Sequence, residues 1–174
     1  MKGDSKFVKY SDLSIPMNRL FHGSHYRLPK ITPMKAWNDG EAYVYGTPHV
    51  QFALPYCGNR WNDMEINLSI YNGTYTITEM LPGMLTEKFD TSGYLHHLDG
   101  RDFVFFKPEE YRCTHEVIPV RIETIKNVLE RMEKELKIYH YPDLPPFIRD
   151  RKEYIIGRSK LFNEDAGKYL ERLE

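Results

Sequence analysis

The pair Asn72-Gly73 constrains this chain more than any other feature, because it stands between two runs of alternating apolar residues. Ile66, Leu68, Ile70 and Tyr71 precede it, and Tyr75 and Ile77 follow. Both turn residues tolerate positive φ, which a two-residue hairpin turn requires, so Asp63 to Thr78 is expected to fold as an antiparallel hairpin.

Neighbouring segments extend this pattern. Arg19 to Ser24 reads as a short buried strand closed by a turn at Gly23, and Glu41 to Thr47 as a second strand ended by Pro48. His25 to Asp39, with Pro29 and Pro33, reads as a loop, and His49 to Cys57 as one or two helical turns. A second hairpin is expected from Gly93–Leu98 and Phe103–Phe106, turning at Asp99-Gly100, with Cys113 to Val120 as a further strand. Ile122, Ile125, Val128, Leu129, Met132 and Leu136 then recur at helical spacing and predict an amphipathic helix that ends before Pro142. After Pro145-Pro146, Phe147 to Glu174 predicts two short helices broken near Gly157. Strands in the middle and helices at the end indicate an antiparallel-rich α+β sandwich rather than a βαβ fold.

Length and charge narrow the function classes. At 174 residues the chain fits one domain, with residues 1–142 as its core and 143–174 as a C-terminal helical extension of the same domain. A net charge of −1 provides no global field toward nucleic acid or an anionic membrane. The two cysteines, Cys57 and Cys113, form neither a CxxC pair nor a disulfide framework. The start Met1-Lys2-Gly3-Asp4-Ser5-Lys6 leads into no apolar run, and no stretch reaches the ~20 apolar residues of a membrane span, so a cytoplasmic protein without membrane contact is expected.

Four pieces carry candidate chemistry: His22-Gly23-Ser24 after the first strand; Gly40-Glu41-Ala42-Tyr43-Val44-Tyr45-Gly46-Thr47; Phe52-Ala53-Leu54-Pro55-Tyr56-Cys57; and Thr114-His115-Glu116-Val117-Ile118-Pro119-Val120. Tyr45 and Tyr56 stand eleven apart, and Tyr56 precedes a Cys. Over residues 19–122 this arrangement resembles the ADP-ribosyltransferase superfamily, in the His-Tyr-Glu branch shared by diphtheria-like toxins and poly-ADP-ribose polymerases. The resemblance implies a split β-sandwich with flanking helices, NAD as substrate, and transfer of ADP-ribose to a protein, nucleic acid or small-molecule acceptor. His22, Tyr45 and Glu116 match the family triad, and His22, Gly23, Ser24, Tyr45 and Tyr56 would bind the dinucleotide. The chain departs from the family pattern at Gly46-Thr47-Pro48, at Pro55 before Tyr56, and at Pro119 within the late strand.

The residue chemistry permits these roles. Breaking a nicotinamide–ribose bond creates an oxocarbenium-like centre, which needs a flat clamp for the leaving ring and a carboxylate near the developing cation. Tyr45 and Tyr56 supply two flat faces, Gly23 a backbone without a Cβ, His22 a donor to a ribose hydroxyl, and Ser24 a second polar contact. Glu116 would stabilise the ribose and position a nucleophile, with Glu109 or Glu110 as its replacement if it is displaced. Two further readings stand beside this one: a non-catalytic nucleotide- or protein-binding module, and an RNA 2′-phosphotransferase-like enzyme. His96-His97 with Asp99, and His22 with His25, lack the spacing of a metal site, so no metal is expected. Arg149, Arg151 and Lys152, with Arg158 and Lys160, read as a solvated helix face or a substrate contact.

Overall fold

The structure, a computed structural model, describes residues 19–35 and 40–173. The chain is a mixed α+β protein whose sheets are mostly antiparallel and whose helices are short. In chain order its elements are β1 (Leu20–Ser24), β2 (Met34–Lys35), β3 (Ala42–Gly46), α1 (Val50–Ala53) with a following 3-10 turn (Leu54–Cys57), β4 (Ile66–Tyr71), β5 (Thr74–Glu79) and α2 (Met84–Phe89). Then come β6 (Gly93–Leu98), β7 (Val104–Lys107), β8 (Glu110–Cys113), β9 (Arg121–Ile125), α3 (Val128–Glu135), β10 (Lys137–Tyr139), α4 (Arg151–Leu161) and α5 (Gly167–Leu170). Three sheets result, with strand orders β1-β6-β9, β10-β5-β4 and β2-β3-β8-β7.

The β4–β5 hairpin forms at Asn72-Gly73, with φ of 49° and 75° at the two turn residues. The expected second hairpin does not form. Both of its strands exist, but β1 and β9 occupy the two edges of β6, while β7 pairs with β8. Phe103 is buried in the core beneath the β3 sheet, so the chain crosses from one sheet to the other instead of turning back.

The long amphipathic helix is also shorter than its periodicity suggests. Ile122 and Ile125 belong to β9, in register with His96 and Gly93. The helix starts only after Asn127, whose side chain accepts the Glu130 N–H at 3.0 Å as an N-cap. The strand expected at Cys113–Val120 ends with β8 at Cys113, followed by a single bridge from Val117 to Ile31. In the C-terminal piece α4 runs through Gly157, and the interruption lies between Leu161 and Gly167. The expected loop His25–Asp39 contains the short strand β2, and its last four residues lie outside the described residues, as does the N-terminal segment.

Two apolar clusters hold these layers. The larger lies between the β1-β6-β9 and β10-β5-β4 sheets and takes in Ile148, Ile155 and Tyr169 of the C-terminal region. The smaller, with Leu20, Val44, Leu98, Tyr111 and Val117, lies on the other face of β1. Arg151 is not part of a solvated face. It is buried, and its guanidinium donates to the carbonyls of Met80 at 2.8 Å, Pro142 and Asp143 at 3.0 Å each, and Glu79. Buried Glu79 accepts the backbone N–H groups of Leu85 and Tyr141 at 3.1 and 2.9 Å, so two buried charges, each matched by backbone groups, join the β5 end to α2 and the C-terminal region.

Candidate functional site

The site begins where two sheets join and then part. Phe21 and Thr47 exchange both backbone hydrogen bonds, at 2.7 and 2.9 Å, linking β1 to the end of β3. Among the described residues no further backbone bond joins the two strands. Their next link is the His22 ring, whose Nδ1 lies 2.8 Å from the Tyr45 carbonyl oxygen. Strand alternation directs the N–H and C=O of Gly23 to the same edge as those of Phe21, the edge from which β3 has diverged. Gly23 therefore presents one donor and one acceptor to a gap between strands.

Glycine at this position has a packing cause. A Cβ on Gly23 would lie 2.1 Å from the Ala53 carbonyl oxygen and 3.1 Å from the Cys57 Sγ. Gly93 on the adjacent strand is similarly crowded, 2.1 Å from the Cys57 oxygen. The two glycines seat the 3-10 turn directly on β1 and β6. Pro55, the second residue of that turn, starts it rather than breaking it, and Tyr56 is thereby held above the strand.

Opposed residues of an antiparallel pair share a sheet face, so Gly23 and Tyr45 lie on the side of Phe21 and Thr47, where the 3-10 turn covers Gly23. The Tyr45 ring meets Tyr43 edge-on at 6.0 Å. Tyr56 packs against Phe52 at 5.9 Å and Trp61 at 5.4 Å, while 46% of its surface stays open. Its phenol is pushed up to about 12 by desolvation and by the Asp63 carboxylate, so it is protonated at neutral pH. A cleft of about 1140 Å³ runs from Gly23, Ser24 and His25 past Tyr56 and Trp61 to Phe162, Lys168 and Tyr169. The C-terminal region thus supplies its far wall. His22, Tyr45 and Glu116 are not among the residues that line it.

His22 faces the opposite side of β1, 5.9 Å from the ring of His96. Because a carbonyl only accepts, Nδ1 of His22 carries the proton, and burial holds the ring's pKa below the ordinary value. Its remaining nitrogen is therefore an acceptor in the neutral ring, which reverses the donor role expected from the sequence. His96 is fully buried between two backbone groups. Its Nε2 accepts the Leu28 N–H at 3.0 Å, and its Nδ1 donates to the His22 carbonyl at 3.2 Å. His97 points to the other face and reaches Glu123 at 3.2 Å, so the two adjacent histidines do not converge. No group of three or more metal-type side chains forms among the described residues.

The acids are distributed differently from expectation. Glu116 extends outward beyond β8, its side chain 50% exposed, pairing with Lys30 at 3.0 Å and accepting from Thr32. Glu109, at φ 71° in the β7–β8 turn, accepts the Tyr75 hydroxyl at 2.5 Å and lies 3.6 Å from His49. Glu110 opens β8, and the register Gly46–Tyr111 and Tyr45–Arg112 brings it to the end of β3 beside Thr47. Lys107 pairs with it at 2.6 Å. Trp61, Arg112 and the C-terminal wall went unread in the sequence. Lys107-Pro108-Glu109-Glu110 is a turn signal that would have revealed the β7–β8 hairpin, and with it the position of Glu110 and Arg112.

Comparison with family models, with curated proteins and with solved structures returned no match. Among the described residues no helix is long and apolar enough to cross a membrane.

Proposed function

We propose that the chain binds an NAD-like dinucleotide at the parting of β1 and β3, breaks its nicotinamide–ribose bond, and passes the ADP-ribose to an acceptor. One feature supports this reading: the peptide groups of Gly23 face the gap where β1 and β3 part, with Tyr56 in the cleft beside Gly23 and Tyr45 on the same face of β3. A primary carboxamide offers one acceptor and one donor side by side, the complement of an extended residue's N–H and C=O. The two phenol rings would hold the flat pyridine, and the open nitrogen of His22 would accept a ribose hydroxyl. A cleft of about 1140 Å³ has room for a dinucleotide.

For the carboxylate, the strand register favours Glu110 over Glu116. Glu110 begins β8 beside Thr47, whereas Glu116 lies four residues beyond Arg112, up to ~13 Å along an extended chain. The test is release of free nicotinamide from NAD by the purified protein and by two variants. Glu110→Gln should lower the rate at least a hundredfold, and Glu116→Gln should leave it within a factor of three. Equal loss in both variants would remove Glu110 from this role.

A second reading, nucleotide binding without cleavage, has its own support. Glu110 and Glu116 are each engaged by a lysine, at 2.6 and 3.0 Å, so neither carboxylate stands free to meet a nucleophile. That reading predicts a rise in melting temperature with NAD and no nicotinamide release.

A further inference from the structure

On the face of the β2-β3-β8-β7 sheet that carries Tyr45, Arg112 stands directly across from Tyr45. Its guanidinium carbon lies 4.2 Å from the ring centres of both Tyr43 and Phe106. Among the described residues no carboxylate pairs with it and no hydrogen-bond acceptor takes its N–H groups. Two rings thus fix the plane of a permanent cation while its in-plane donors remain unmatched. Lys107 approaches the same Phe106 ring at 5.5 Å and pairs with Glu110, while Glu41 accepts the Tyr43 hydroxyl at 2.6 Å. Each of these carboxylates is engaged by another group, Glu110 by Lys107 and Glu41 by Tyr43, and neither reaches Arg112. Met34 and Val104, 74% and 62% exposed, keep the surrounding sheet face open.

We propose that the Tyr43–Arg112–Phe106 stack is a phosphate-binding site. A planar fork with both faces covered can engage an anion only along its edge, and that edge fits two oxygens of a phosphate. The permanent charge of Arg112 and its unmatched donors suit a phosphate ester, and the flanking rings shield the pair from water. The phosphate has two possible sources, the pyrophosphate of the dinucleotide or a phosphate on an acceptor. The site does not depend on nicotinamide cleavage.

The experiment is calorimetric titration of the full chain, wild type and Arg112→Gln, with ADP-ribose, adenosine and glycerol 2-phosphate. Loss of at least tenfold in ADP-ribose affinity, with adenosine binding unchanged, assigns the dinucleotide's phosphates. Loss for glycerol 2-phosphate alone assigns a phosphate on the acceptor. Unchanged affinity for both phosphate probes, or no binding of either by the wild type, overturns the proposal. Arg112→Lys keeps the charge but not the fork, and is expected to fall between the two proteins. It also keeps the test decisive if Arg112→Gln loses its circular-dichroism signature. Nicotinamide release is read in parallel, so failure of the cleavage reading is distinguished from failure of this site.

Discussion

Acidification should loosen the β1 end of the site through one imidazole. His96 is wholly buried, and its two nitrogens serve the His22 carbonyl and the Leu28 N–H. Protonating Nε2 would turn its hydrogen bond with the Leu28 N–H into a clash of two donors. Burial, the larger cause, together with nearby His22, Arg27 and His97, brings its pKa to about 4 from an ordinary 6.5. Below about pH 6.5 the unfolded chain therefore takes up a proton that the native protein refuses until about pH 4. Stability is complete above that window and falls as pH drops through it. Between pH 7 and pH 4.5 the linkage amounts to roughly 2–3 kcal/mol. Urea titrations at the two pH values, on the wild type and His96→Gln, isolate this contribution from that of the carboxylates. The variant should be less stable at pH 7 by roughly 1–3 kcal/mol, because its partners are poorly satisfied, yet should lose roughly 2–3 kcal/mol less on acidification. Equal losses in both proteins would refute the reasoning.

Other perturbations have outcomes fixed by the same geometry. Gly23→Ala places a methyl group 2.1 Å from the Ala53 oxygen, so thermal melting should show a loss of ~3 kcal/mol or more, or no folded protein. Arg151→Met removes the donor from four backbone carbonyls, a cost of ~3 kcal/mol or more in urea titration. Tyr56→Ala should weaken NAD binding by about tenfold while changing stability little, since nearly half of that side chain is exposed.

Local signals were legible in the sequence where the fold is decided locally. Asn72-Gly73 determined its hairpin because the turn itself requires positive φ, and His22, Gly23 and Tyr56 stood out as candidates because each sits within a short motif. Pairing was not legible. Asp99-Gly100 looks like a hairpin turn, yet burial of Phe103 sends the chain to another sheet. Ile122 and Ile125 satisfy helical spacing, but two residues cannot define a period, and β6 claims them as a strand. The carboxylate was the hardest to place. Proposing Glu110 depends on β3–β8 register, a relation between segments more than sixty residues apart, whereas Glu116 was chosen from its own neighbours.

The central claim is that the open peptide edge of Gly23 receives a carboxamide. Amide NMR of glycine-labelled protein, titrated with nicotinamide and then with nicotinic acid, tests it most directly. A saturable shift of the Gly23 resonance is expected with nicotinamide, much weaker with the acid, whose carboxylate lacks the donor for the Gly23 carbonyl. A Gly23 signal that stays in place while the protein binds nicotinamide elsewhere would contradict it.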